Sequence, residues 1–329
     1  MSLRSLFPPW LALLLVSPAI GEVLSGSSPP PELLNPVALA FLIGLYGCGA
    51  LLVRELTVRW HRGWPTILAL GAAYGIIEEA LMTKSFFDPG WMDVGLLGSY
   101  GRWLGVNWIW SLELTLFHMV FSIAIAILLV QLAYPGRSGR PWVGRRGLIA
   151  SAVVLVFVVV FGYLFLTPYR PDMVLYSLAV IVTAVIVLIA RQLPATFVVR
   201  FRGGIMKARW LTPAGFLWTF SLFFIVWVLP QTGIPSYAVF LILLALGLAG
   251  IFALARLYGK GMQFTDVHKL ALASGALGFF ILLSLVLEIG GARGMGLAGG
   301  IAAVLLILLW RSLRSRAGNR IIIDRTHTS

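Results

Sequence analysis

Residues 148–166 read LIASAVVLVFVVVFGYLFL, and their reading decides the fold. The run carries no charge over 19 residues, and at ~1.5 Å per residue a helix of that length crosses the ~30 Å hydrocarbon layer of a bilayer. A strand there would leave its backbone groups without partners in lipid, so the run is read as a helix. It has many counterparts. Apolar runs of similar length fall at 7–24, 37–53, 65–82, 107–134, 173–190, 213–228, 234–257, 270–289 and 294–310. The expected fold is therefore all-α, a polytopic transmembrane bundle of about ten helices. The composition agrees: of 329 residues, 60% are hydrophobic and only 11% charged, with a mean hydropathy of +0.95. That much apolar surface excludes both a water-soluble globule and a disordered chain.

The net charge of +13 would suggest nucleic acid in a soluble protein, but here the basic residues sit in short loops between apolar runs. The arrangement fits anionic membrane lipids and the orientation rule for cytoplasmic loops, and no nucleic-acid partner is expected. Of the 25 Lys and Arg, 21 fall in the N-terminus, the even-numbered loops and the C-terminal tail. Both termini are therefore expected in the cytoplasm, and the protein in a plasma or bacterial inner membrane as a multi-pass chain. A rival reading of the first run is a cleaved signal peptide, with Arg4 as its basic head and Ser17-Pro18-Ala19 as the cleavage site. Cys48 is the only cysteine, which excludes an internal disulfide and a cysteine metal cluster.

Eight of twelve acidic residues precede Gly147. This asymmetry divides the chain into a polar functional half (1–147, with an aromatic outer loop at 83–106), a hydrophobic helical half (148–311) and a basic cytoplasmic tail (312–329).

Ionisable groups within a membrane are costly, so each is a candidate for function. The third helix carries Glu78 and Glu79 after Gly71 and Gly75, small residues that let a neighbouring helix approach. At 100° per residue, Glu78 shares the glycine face and Glu79 lies about 100° round. Two adjacent carboxylates held from bulk water resist double ionisation, so one is expected to hold a proton near neutral pH. On the fourth helix Ser111, Thr115, His118 and Ser122 form one stripe, with Asn107 at its head. Glu113 points elsewhere on this helix. A carboxylate and an imidazole converging in a partly dry cavity act as base and acid on water, the chemistry of amide or ester hydrolysis. The same pair could relay protons in a transporter, or only fix helix packing. Glu78, Glu79 and His118 would also suit a divalent metal. No other cofactor is indicated.

Glu78-Glu79, followed by a basic residue and by a histidine in the next helix, resembles the CPBP family of glutamate-type intramembrane proteases, relatives of the CAAX prenyl endopeptidases. The resemblance implies catalytic roles for Glu78, Glu79 and His118. The sequence departs from that family's pattern at Thr83, where Arg is expected with Lys84 one position late, and at Leu114, where Phe is expected. It also has no counterpart of the third motif, since His268 is followed by Leu272. Signatures of zinc, aspartyl and rhomboid-like intramembrane proteases are missing.

The outer loop is rich in aromatic residues and reads as an interfacial belt, with a lid over the Glu/His cavity as the alternative. Lys84, Arg102 and Trp103 are its candidates for lid or headgroup contacts. At the inner end of the second helix, Glu55 and Arg59 have the spacing of a helical salt bridge. The favoured reading is a membrane-embedded hydrolase, peptidase-like, with a cavity open to the outer leaflet and a membrane peptide or lipid-linked substrate. The alternatives are a proton-coupled transporter or permease subunit, and a non-catalytic membrane partner. The sequence leaves the oligomeric state open.

Overall fold

A computed structural model describes residues 7–197 and 204–326, with side chains through residue 316 apart from Met262. Arg4, Arg200 and Arg202 of the charge count, and the end of the basic tail, lie outside the described residues. Among the described residues, ten helices form the bundle: α1 (Pro9–Leu24), α2 (Pro36–Arg59), α3 (Trp64–Met82), α4 (Trp108–Ala133), α5 (Arg145–Phe165), α6 (Met173–Gln192), α7 (Ala208–Trp227), α8 (Ser236–Tyr258), α9 (Asp266–Ile289) and α10 (Met295–Thr326). Nine of them, α2 to α10, are long and apolar enough to cross a membrane, and α1 is a shorter apolar helix.

Polar residues at the helix starts satisfy the free N–H groups of the first turn. The Asn35 side chain accepts from Val37 N (2.9 Å), Asn107 from Trp110 N (2.9 Å) and Asp172 from Val174 N (2.8 Å). Helices α3 and α4 are the most enclosed, with 78% and 72% of their apolar windows inside the protein, against 17% for α5, α6 and α10. The acid-bearing helices are thus at the centre, and the later ones turn large apolar faces outward.

Glycines allow close helix contacts. A Cβ on Gly75 would stand 3.2 Å from Thr115 Cα and from His118 Cβ, so α3 lies directly on α4. A Cβ on Gly275 of α9 would stand 1.8 Å from Thr212 O of α7, which fixes glycine there.

Two elements differ from the sequence expectation. Helix α2 continues past residue 53 to Arg59, placing Arg54 and Glu55 inside it, both fully buried. Arg54 Nη1 pairs with Glu55, while Nη2 donates to the carbonyls of Arg137 (3.2 Å), Ser138 (2.8 Å) and Arg140 (2.6 Å). The Trp142 ring lies over the guanidinium at 3.7 Å. Glu55 also accepts from Trp142 N (2.8 Å) and pairs with Arg59 at 3.5 Å, the expected helical bridge. The helix extends because these charges are paired inside the protein. The second difference is α10, whose backbone stays helical to Thr326 through the region read as a tail.

Four segments are wound as π-helix: Ala19–Leu24 in α1, Ile43–Gly47 in α2, Ile77–Met82 in α3 and His118–Ile125 in α4. The later six helices have none among the described residues. Such wide turns are rare, and they occur often at functional sites.

Candidate functional site

The four π segments carry the residues that meet at the centre of the bundle. His118 Nε2 is 3.0 Å from Glu79 Oε1, and Nδ1 is 3.2 Å from Glu78 Oε2 and 3.1 Å from Ser122 Oγ. Glu79 Oε2 accepts from Ser85 Oγ (2.5 Å) and Thr83 Oγ1 (3.1 Å), and Ser85 Oγ in turn accepts from Trp110 Nε1 (3.1 Å). Glu79 is therefore held at both oxygens. Glu78 is not: its Oε2 is buried, near Nδ1 but outside hydrogen-bond geometry, and has no hydrogen-bond partner. The buried Tyr74 hydroxyl, one helical turn before Glu78, lies beside the same carboxyl group.

The first helix completes the cluster. Tyr46 donates to Glu22 Oε1 and lies beside Glu78, and Ser28 Oγ donates to Glu22 Oε2 at 2.8 Å. The Ser17 hydroxyl stands within hydrogen-bond distance of the Ser122 and Tyr46 carbonyls (2.7 and 3.0 Å), tying α1 to α4 and α2. Glu113 is buried with Oε2 unpartnered and lies within electrostatic reach of Glu79 and His118. No Lys or Arg is hydrogen-bonded or ion-paired to these acids among the described residues. Four carboxyl groups thus surround one imidazole, an arrangement whose charge is balanced by protons or by a cation.

The structure brings Glu78, Glu79, His118 and Ser122 together and separates the rest of the expected polar face. Ser111 Oγ donates to Asn107 O (2.6 Å) and Thr115 Oγ1 to Ser111 O (2.7 Å), so both hydroxyls are spent on their own helix. Asn107 caps α4 and donates to Leu97 O and to Tyr100 O (3.1 Å), anchoring the outer loop. Both glutamates reach one imidazole because they meet different edges of the ring, Glu78 at Nδ1 and Glu79 at Nε2.

The aromatic loop between α3 and α4 is a plug and a rim together. Phe86, Phe87, Val94 and Leu97 are buried, whereas Trp103 and Trp108 are exposed. The expected opening toward the outer leaflet is corrected: Glu78, Glu79 and His118 are 2%, 8% and 2% exposed, because Ser85, Trp110 and Asn107 fold this loop over them. Lys84 is corrected too. It is fully buried and donates to Tyr163 O (2.9 Å) and Thr167 O (3.2 Å) at the end of α5. Arg102 donates to the carbonyls of Phe87 (2.7 Å), Gly105 (3.0 Å) and Gly98 (3.1 Å).

The sequence reading missed Glu22, Tyr46, Tyr74 and Ser85. Glu22 offered a signal, being an acid at the end of an apolar run, but Tyr46 and Tyr74 look like any membrane tyrosine until the helices are assembled.

One ligand atom each from Glu78, Glu79 and His118 lies within 4.8 Å of the others. Two carboxylates and an imidazole at this spacing suit a divalent ion, and the orphaned Glu78 oxygen fits that role.

Fold and site together define a polytopic integral membrane protein whose first four helices enclose a carboxylate–imidazole cluster. The chain belongs to the family described as "Uncharacterized membrane protein family", whose model matches residues 11–307. This match corrects the resemblance to the CPBP proteases: the family is a different one, in keeping with Thr83, Leu114 and the missing third motif. Comparison with curated proteins and with solved structures found no match.

Proposed function

We propose that the protein is a membrane-embedded hydrolase whose reacting groups are Glu78, Glu79 and His118. The observation that carries this reading is the contrast between the two carboxylates. Glu79 is fixed by His118, Ser85 and Thr83, while Glu78 keeps a buried oxygen free beside the imidazole. Glu78 is then the base. It takes a proton from water as the water oxygen bonds to an amide or ester carbonyl carbon, and Tyr74 or His118 donates to the oxyanion that forms. Collapse breaks the C–N or C–O bond, and the leaving group takes the proton that Glu78 accepted. Glu79 orients the imidazole. A divalent ion on the same three residues would polarise the carbonyl and activate the water. The substrate class is a membrane peptide or a lipid-linked ester or amide, presented from the bilayer.

The test is turnover of fluorogenic transmembrane peptides and acyl esters by the full chain in proteoliposomes. Glu78→Gln and His118→Ala should each lose about 10²–10⁴-fold in rate. Equal turnover by wild type and Glu78→Gln defeats the reading.

A second reading is favoured by a separate observation. Both imidazole nitrogens face carboxylates, and Tyr46, Glu22 and Ser28 continue the polar chain toward the exposed Ser27. Such a chain suits proton-coupled transport. It predicts proton flux across proteoliposomes, read with an internal pH dye, that Glu22→Gln abolishes.

A further inference from the structure

The junction between α2 and α3 frames a pocket. Helix α2 closes with His61 in the left-handed region at φ 54, so that His61 N bonds back to Val58 O (3.1 Å) and Arg62 N to Thr57 O (2.9 Å). Glycine is the usual residue for this way of ending a helix. Here the position carries an imidazole instead, and the bonds fold Arg62 back against the helix end. Helix α3 then starts at Trp64 with no side chain capping it. With Gln131 near the end of α4 and Gly139 of the following turn, these parts line a pocket of about 330 Å³. His61 and Gly139 are exposed, so the pocket opens to solvent, at the end of the bundle expected in the cytoplasm.

The lining is rich in donors that lack acceptors. Arg54 and Arg62 each keep a buried Nε–H with no hydrogen-bond partner, a cost that an acceptor in the pocket would relieve. The Arg54 charge is already met by Glu55 and the 137–140 carbonyls. The selecting charge is therefore that of Arg62, whose side chain enters no hydrogen bond, ion pair or ring contact among the described residues. The side chains of His61 and Gln131 are likewise unengaged, and no Asp or Glu borders the pocket among the described residues. A guanidinium, an imidazole and an amide beside an uncapped helix start suit the oxygens of a phosphate group. Val58, Trp64 and Ile67 add apolar surface for the carbon atoms attached to it. We infer that this pocket binds the phosphate group of a soluble ester or of a lipid headgroup, with Arg62 as its charge partner. Ile67 precedes Glu78 by eleven residues on α3, about 16 Å along the helix. The site is thus separate from the carboxylate–imidazole cluster and does not depend on the reaction performed there.

The experiment is calorimetric titration of the full chain in neutral detergent, at constant ionic strength, with glycerol 3-phosphate and with short-chain phosphatidic acid. Three variants accompany the wild type. Arg62→Gln removes the selecting charge. Gly139→Trp puts bulk on the pocket at a position where a Cβ meets nothing within 4 Å. Arg145→Gln removes an equal charge from an exposed position off the lining. The wild type and Arg145→Gln should bind one equivalent of a probe with equal affinity, and Arg62→Gln should bind it about tenfold more weakly. Gly139→Trp should weaken it as well. Binding of glycerol 3-phosphate marks a soluble ligand and binding of phosphatidic acid alone marks a headgroup, and either upholds the inference. No binding of either probe overturns it, as does binding that Arg62→Gln or Gly139→Trp leaves unchanged, or that Arg145→Gln weakens as much as Arg62→Gln.

Discussion

Arg54 shows how a full charge is kept out of water without being left alone. Its two terminal nitrogens meet Glu55 and three carbonyls of the 137–140 turn, and Trp142 covers its face. Removing one partner of such a pair strands the other, so Glu55→Gln should cost about 3–5 kcal/mol, read as a fall in the thermal midpoint in detergent. Lys84 makes a related case with a different geometry. Its backbone sits at φ 68, in the left-handed region, while its ammonium reaches the last carbonyls of α5. Lys84→Ala keeps the strained backbone and loses both bonds, for an expected cost of about 1–3 kcal/mol. Lys84→Gly should be the milder change, because glycine tolerates that φ. Burial, and then Arg170, lower the Lys84 pKa below its usual 10.5. Between the lowered value and 10.5 the unfolded chain binds more protons than the folded one, so this lysine makes stability rise with pH across that window. Lys84→Met should flatten that rise in a melting series above neutral pH. At the cluster itself, a metal-dependent reaction would be stopped by a chelator and restored by added divalent ion, whereas a metal-free one would ignore both.

Among the elements, the contact between α3 and α4 does most to set the site. Gly75 brings His118 close to Glu78 and Glu79, and a larger residue would part the two helices. Gly75→Leu should cost about 1–3 kcal/mol by overpacking and lower turnover further than that loss of fold explains. Gly275→Ala, which meets Thr212 O, should weaken the α7–α9 contact and leave the chemistry of any folded fraction intact. The same contact shows how much the sequence disclosed. Uncharged runs such as 148–166 announced their helices because only length and apolarity mattered. Glu78, Glu79 and His118 stood out because charge within lipid is rare. The polar stripe on α4 was legible only as a spacing. Ser111 and Thr115 bond back to their own helix instead of facing the cluster, a local choice for which hydrophobic periodicity carries no mark. The burial of the charged end of α2 was hidden for a similar reason, because a helical Glu55–Arg59 pair reads as a solvated helix end until the 137–140 carbonyls arrive from far along the chain.

At the scale of the whole molecule, the enclosed centre and the apolar exterior make separate demands. The outward positions on α5 face lipid, Phe157 among them at 66% exposed. An arginine there should cost about 2.5–3.5 kcal/mol of insertion, measurable as reduced membrane integration of Phe157→Arg. The expected sidedness is directly testable because Cys48, the only cysteine, is buried and should be silent to labelling. With a membrane-impermeant maleimide, Ser27→Cys should react from outside the cell and Gly139→Cys only after the inner face is exposed. Both positions are solvent-exposed, and a Cβ at Gly139 meets nothing within 4 Å. The opposite pattern would invert the topology.

The four wide turns give this protein an unusual mechanical property. Relative to an α-helix, a π turn holds a surplus residue, so the residue count beyond it is out of step with the count before it. Deleting one residue within Ile77–Met82 would let that turn relax to ordinary winding, so that the two ends of α3 keep their present phase while the residues inside the turn are re-spaced. The glutamates would then swing off His118 with no functional side chain replaced. The cluster is therefore held together by chain length as much as by residue identity, and a single-codon deletion is a sharper probe of its assembly than a substitution.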